Sequence, residues 1–474
     1  MTENIIVASQ KLNLQIFAQF LYFLSLLSAI VPFGAVDPIP LGAATMLACI
    51  AAVVAGIVLG IPVKTRWLFA TALILAVATS GWVEIQTLSG LGAGFVNPLW
   101  LGLQTASLPQ SGSISIQPAD SIAALSFLAV PMLTFLTGLM VIRSDSEARR
   151  FTAILAIGGG ILAVYGLVQF IFFPETNLFF PKTAYPDSLT ATFVNRNTAG
   201  TFLGLVCLTL ARHVWSLSRE ISLAALVQYV SSNRPLKIAG LSFLLLNSFF
   251  LACSLVALCL TKSRGAIGST VVAFLFLVCV LSLQRTRGTE SFSAAPSRRK
   301  ALLNTTVACG LVLLVVGILG GRVLLRAEML GWEDSRYCVL PGIIELAKTE
   351  PLLGNGFGSF RYAFPRYRDP QCGITSIWER AHNFYLDGFI GLGITFVVIL
   401  GVGVLALVIA QLIGMRNRRR MRSYSALGLA SFVLVSLHGL ADFSLQIPGM
   451  AAYFGAIMAA TSTVSLGKSA HSRS

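Results

Sequence analysis

Apolar residues recur along this chain in near-continuous runs of about 18 to 25 positions, broken by shorter polar stretches, and not in the two-residue alternation of a half-buried strand. Wound as a helix, each run is long enough to cross about 30 Å of hydrocarbon. The runs fall near 15–34, 41–62, 67–84, 120–142, 151–173, 198–217, 238–261, 265–284, 303–324, 386–413, 425–442 and 447–466. The pattern predicts an all-α polytopic membrane protein with about twelve transmembrane helices, read as a single transmembrane domain over residues 1–474. An even number of spans puts both termini on one side. The opening MTENIIVASQKLNLQ has no basic leader and no small-residue cleavage site, so the first run reads as a retained helix and not as a signal peptide.

Composition agrees. Of 474 residues 55% are hydrophobic and 11% charged, with mean hydropathy +0.80, whereas soluble domains carry about 25% charged residues. The formal charge of +15 raises nucleic acid as a partner, and the placement of the charges argues against it. With the N-terminus taken as inside, inner segments hold 22 of the 34 basic residues and five of the 19 acids, Glu3, Asp145, Glu147, Glu220 and Glu290. The inner balance is therefore +17, and 12 basic residues against 14 acids leave −2 outside. By the positive-inside rule both termini are cytoplasmic. RNRRRMR (Arg416 to Arg422) and SRRK then read as topology signals and contacts for anionic lipid.

Three outer segments are long enough to carry structure, 85–119, 174–197 and 325–385; the last is far longer than a connector needs. Within it SRYCVLPGIIELAKT, Ser335 to Thr349, sets Tyr337, Leu340, Ile344 and Ala347 at helical spacing, with Pro341 and Gly342 as sites for a kink and Pro351 as a stop. LLGNGFGSF lacks the strand before and the helical GK[ST] after that would make it a phosphate loop, so it reads as a tight turn. FRYAFPRYRDP interleaves Phe360, Tyr362, Phe364 and Tyr367 with Arg361, Arg366 and Arg368, a composition that suits sugar stacking and an interfacial aromatic belt alike. Six cysteines lie in apolar runs as small hydrophobes. Cys338 and Cys372 share the largest outer segment, where an oxidising compartment permits a disulfide whose geometry the sequence does not supply. No CxxC or HExxH spacing suggests a metal, and no cofactor is implied.

Candidate chemistry gathers at the outer rim. TFVNRNTAG puts Arg196 at the entry to the sixth run, LTKSRGAIGS puts Lys262 and Arg264 in the short seventh-to-eighth connection, and RAHNFYLDG puts His382 at the start of the tenth. A lone arginine at a span end commonly just snorkels to the interface. Three such motifs on one face, under a topology derived from the inner charges alone, suit transfer of a group from a lipid diphosphate to a hydroxyl. Arginine offers a planar fork for phosphate oxygens, and histidine accepts a proton near neutral pH. In LHGLADF, His438 and Asp442 are four residues apart and read as an internal polar pair, with a supporting role in the site as the alternative; His213 and His471 fall on the cytoplasmic side.

At these residues the chain resembles a known family. ATFVNRNTAGTFLGL, LTKSRGAIGS, the stretch from SRYCVLPGIIELAKTEPLLGNGFGSFRYAFPRYR to AHNFYLDGFIGLGI, and HGLADFSLQIPGMAAYFGAIMAA together resemble the bacterial O-antigen ligase and polysaccharide polymerase superfamily over roughly residues 190 to 465. The resemblance implies a metal-independent, inverting glycosyltransferase of the inner membrane, GT-C-like, with a mostly helical periplasmic loop over its site. It would move glycan from undecaprenyl diphosphate to lipid A core or to another repeat unit. By the same resemblance Arg196 and Arg264 hold the diphosphate, His382 is the histidine of the large loop, and Arg336 is a further loop arginine. Asn197, Lys262, Asn383, Arg361 and Tyr362 are the remaining candidates for substrate contact. The family often has a glutamate nine residues after this histidine; here Gly391 stands there, leaving Asp387 as the nearby carboxylate. The compact layout favours a ligase over a polymerase, which uses the same donor machinery. A transporter of lipid-linked glycan would instead place ionisable residues mid-span and repeat its halves, and neither feature is evident.

Overall fold

A computed structural model describes residues 2–105, 112–219, 240–286, 335–372 and 377–467. In chain order its helices are α1 (Thr2–Ile30), α2 (Pro38–Val58), α3 (Arg66–Thr87), α4 (Pro98–Thr105), α5 (Pro118–Val141), α6 (Asp145–Phe172), α7 (Arg196–Ser218), α8 (Leu241–Leu260), α9 (Arg264–Thr286), α10 (Ser335–Thr349), α11 (Phe360–Ala363), α12 (Phe384–Leu392), α13 (Ile394–Asn417), α14 (Arg422–Gly439) and α15 (Pro448–Ser465). Among the described residues a two-residue antiparallel pair, Thr176–Asn177 with Phe180–Pro181, is the sheet structure. Nine described helical segments are long and apolar enough to cross a membrane, which makes this a multi-pass membrane protein. They correspond to the first eight expected runs and the tenth. The ninth, 303–324, lies outside the described residues.

The last two runs are helical, yet less apolar than the others. Burial explains this: α15 packs on α1, α5, α6, α7, α13 and α14, and every residue of it except Phe454 is buried. A helix surrounded by protein meets little lipid, so small and hydroxylated residues serve it better than large apolar ones. Its Thr461, Ser462 and Ser465 form a hydrogen-bonded group with Gln411 of α13, so these polar atoms are satisfied away from water.

The tenth run is not one helix. It breaks at Gly393, with φ +61° and ψ −147°, a conformation open essentially to glycine alone. The cause is the packing of the LLGNGFGSF turn. Gly354, Gly356 and Gly358 all have positive φ, and the turn runs against the break, with Asn355 N donating to Ile390 O (2.7 Å), Gly356 N to Gly391 O (3.1 Å) and Ile394 N to Leu352 O (3.3 Å). A Cβ on Gly393 would lie 2.3 Å from Leu352 O. From α3, the buried Gln86 closes the junction: Nε2 donates to Leu353 O (2.7 Å) and Gly391 O (2.9 Å), and Oε1 accepts from Phe357 N (3.3 Å).

Residues 335–392 have a small core of their own, in which Val339, Ile343, Leu346 and Ala347 of α10 meet Phe360, Ala363, Phe364, Ala381 and Ile390. Helix α10 has the expected bounds and a different inward face. Ala347 is buried as expected, while Ile344 is 40% exposed and the buried stripe also takes in Val339, Ile343 and Leu346. Gly342 allows close approach: a Cβ there would lie 2.0 Å from Tyr367 O. Phe360 and Phe364 stack within this core with centroids 5.1 Å apart, so they are not free for a ligand, whereas Tyr362 stays exposed. Cys338 and Cys372 form a disulfide, with Cα atoms 5.8 Å apart, joining α10 to the turn after α11.

Candidate functional site

The two arginines singled out in the sequence each open a helix. Arg196 is the first residue of α7, whose N-cap Asn195 accepts from Asn197 N. Arg264 is the first residue of α9, where Ser263 Oγ accepts from Ala266 N at 3.4 Å. Polar N-caps stop a helix by satisfying its first amides, and the N-terminal end carries roughly half a positive charge. Each guanidinium thus adds to a field that already favours an anion. Helices α8 and α9 are joined by only Thr261, Lys262 and Ser263, with Lys262 at φ +55°. Its half-buried side chain and the exposed Arg264 share that turn.

Helices α7 and α9 approach closely here because α7 carries glycines on the facing side. A Cβ on Gly200 would lie 2.6 Å from Ala266 Cβ, and one on Gly204 would lie 2.3 Å from Thr270 Oγ1. This is the small-xxx-small spacing of tightly packed membrane helices. Across the contact, Ser263 Oγ donates to Asn197 Oδ1 at 2.8 Å. The Arg196 guanidinium lies 5.2 Å from the centroid of the Tyr185 ring and its Nη1 is 3.5 Å from Ser188 Oγ. That loop is itself tied to the end of α8 through Leu189 N and Leu260 O at 2.9 Å.

His382 sits at φ +52°, a conformation uncommon outside glycine. Two neighbours hold it there. Asp387 is buried and its Oδ2 accepts from Ala381 N at 2.7 Å; Asn383 caps α12, accepting from Tyr385 N and Leu386 N, and donates to Leu440 O at 2.8 Å. The nearby carboxylate noted in the sequence is therefore a backbone anchor for the loop before His382. The imidazole itself is half-buried between Trp378 and Phe443, both 4.9 Å away edge to face.

The end of α14 and the loop that follows it, His438 to Ser444, join these pieces. Asn197 Nδ2 donates to Asp442 Oδ1 at 2.9 Å, and Ser444 Oγ donates to Asp442 Oδ2. His438 Nδ1 lies 2.6 Å from Thr201 Oγ1, and the far edge of its ring covers Gly265. Phe443 supports His382, and Leu440 O holds Asn383. Three motifs distant in sequence thus meet on one loop: Arg196 and Arg264 through Asn197 and Ser263, His382 through Phe443. Beyond their i, i+4 spacing, His438 and Asp442 are each bonded to α7. Helix α14 ends at Gly439, and both side chains reach across to α7. Spacing alone finds neighbours on one helix; this pairing spans 237 and 245 residues.

The other candidates are placed variously. Asn197 and Asn383 have their side chains engaged within the protein, as struts and cap. Arg361 pairs with Glu379 at 3.3 Å and lies beside the ring of Tyr362, whose hydroxyl donates to Asp120; these residues join the large segment to the N-terminal end of α5. The Asp120 contact, followed by burial, raises the Tyr362 phenol above its usual range. Arg336 falls in the first turn of α10, and its side chain lies outside the described residues.

Against known proteins, residues 249–401 match the family model described as O-antigen ligase. A search of curated proteins gives no match. The matched stretch runs from α8 into α13, so it contains the Arg264 turn, the large segment and His382. Over that stretch this multi-pass membrane chain carries an O-antigen ligase-like domain.

Proposed function

We propose that the protein is a glycosyltransferase of the bacterial inner membrane that draws glycan from undecaprenyl diphosphate and joins it to an acceptor hydroxyl on the periplasmic face, as a ligase with lipid A core as acceptor. The observation that carries this reading is the meeting of two arginine-headed helix ends and a histidine on the 438–444 loop. The proposal includes twelve spans, both termini in the cytoplasm, and periplasmic segments at 85–119, 174–197 and 325–385, with membrane lipid as the surrounding partner and no nucleic acid.

In the proposed step, the acceptor oxygen attacks the anomeric carbon of the donor sugar as the bond from that carbon to the diphosphate oxygen breaks, inverting the centre. His382 takes the acceptor's proton. Arg196 and Arg264, at the positive ends of α7 and α9, take up the charge that develops on the departing undecaprenyl diphosphate. Substrate contact is also proposed for Lys262, Arg336, Arg361 and Tyr362; Asn197 and Asn383 act through the geometry they hold. The chemistry asks for no metal, so transfer is expected to be unchanged by EDTA.

The test is transfer by purified protein in detergent, wild type beside His382→Ala, from an undecaprenyl-diphosphate glycan to lipid A core or to a second copy of the donor. Product on lipid A core that the variant loses supports the ligase. Laddered glycan on the lipid carrier would make the protein a polymerase, and no product with either acceptor from folded protein would overturn the reading in favour of transport.

A further inference from the structure

His438 belongs to none of the roles assigned so far. It is 2% exposed, at the junction of α7, α9 and α14. The hydroxyl of Thr201 lies 3.0 Å from Asn197 O, the habit of a threonine bonding one turn back in a helix. It also lies 2.6 Å from His438 Nδ1, a hydrogen bond that sets the orientation of the ring from α7 in either tautomer. The opposite edge reaches α9. A Cβ built on Gly265 would lie 2.9 Å from His438 Cδ2 and 3.1 Å from Nε2, closer than side chains tolerate without moving. Gly265 follows Arg264 directly, and its own backbone is ordinary helix. Its lack of a side chain is thus explained by the imidazole and not by conformation.

One side chain therefore spans from the helix headed by Arg196 to the turn that carries Arg264. We infer that His438 is a positioning residue for donor binding: bonded to Thr201 and packed on Gly265, it holds the Arg264 turn in register with α7 so that both guanidinium groups reach one diphosphate. The inference rests on the donor proposed above. Its contribution lies in affinity for the diphosphate lipid, with the proton transfer left to His382. Removal of the ring lets the 261–265 turn shift, and a bidentate fork displaced by about 1 Å loses most of its advantage.

The experiment measures binding of undecaprenyl diphosphate, without glycan, to purified full-length protein in nanodiscs, together with donor KM and kcat. His438→Ala is expected to weaken binding at least tenfold and to lower kcat/KM for the donor at least as much, with acceptor KM within threefold of wild type. His438→Asn keeps a hydrogen-bonding amide where Nδ1 stands, so it should bind within threefold of wild type; His438→Gln, which moves that amide outward, should resemble alanine. A contact serving only to fill space would not separate Asn from Gln. Gly265→Ala should weaken binding in the wild-type background and have no further effect in His438→Ala, and this pair keeps the idea testable if one substitution fails to fold. Equal affinity in wild type and His438→Ala would overturn the inference, as would His438→Asn losing kcat at unchanged affinity. A wild type that binds no undecaprenyl diphosphate sinks the donor assignment itself.

Discussion

The strut between α7 and the last loop can be tested without any substrate. Asn197 is 4% exposed and Asp442 fully buried, and a 2.9 Å hydrogen bond joins them. A hydrogen bond to a carboxylate is worth about 1.5–3 kcal/mol, and a neutral one, such as that from Ser263 to Asn197, about 1 kcal/mol. Asn197→Ala should then destabilise the protein by about 2.5–4 kcal/mol, part of it from leaving Ser263 Oγ and the carboxylate short of partners. The sharper quantity is the coupling between Asn197→Ala and Asp442→Ala in a double-mutant cycle, because each alanine removes the contact without creating another. Its expected value is about 1.5–3 kcal/mol, or about 10- to 150-fold in the unfolding equilibrium constant. Equilibrium unfolding in mixed micelles, followed by a fluorescent label on α7 and another on α15, reads all four proteins. Additivity within about 0.5 kcal/mol would refute the claim that this bond ties the two segments together.

Other expectations follow from single residues. Arg264→Lys keeps the charge and loses the fork, so purified variant protein should transfer at least tenfold more slowly than wild type; near-normal transfer counts against a bidentate diphosphate contact. Gln86→Ala removes three hydrogen bonds to the LLGNGFGSF turn and the α12–α13 break. At about 1 kcal/mol each, amide exchange over residues 353–357 should accelerate by about 100-fold, and a change under threefold would remove Gln86 from that role. Gly393→Ala must fit a methyl group 2.3 Å from Leu352 O in a backbone region alanine avoids, so the folded yield in detergent should fall severely; a normal yield and melting temperature would contradict the break as described.

The sequence determined by itself that the chain is a set of apolar helices, because crossing a membrane demands local continuity of apolar residues whatever the rest of the chain does. It determined the bounds of the Ser335–Thr349 helix, the glycine turn after it, and the motifs proposed to carry the chemistry. Its misses share one cause. The inward face of α10 takes in Val339, Ile343 and Leu346 beside the expected Ala347, because the turn at Phe364 to Tyr367 lies against Gly342, a contact no periodicity records. The tenth run looked continuous because its break is imposed by residues 352–356 and Gln86, remote in sequence. The bonds that His438 and Asp442 make to α7 were hidden from four-residue spacing because their partners lie 237 and 245 residues away. Which residues face one another across helices depends on close approach at Gly200, Gly204 and Gly265 and on buried polar groups finding partners away from water. Tertiary packing alone decided that Arg196, Arg264 and His382 are held by a single loop.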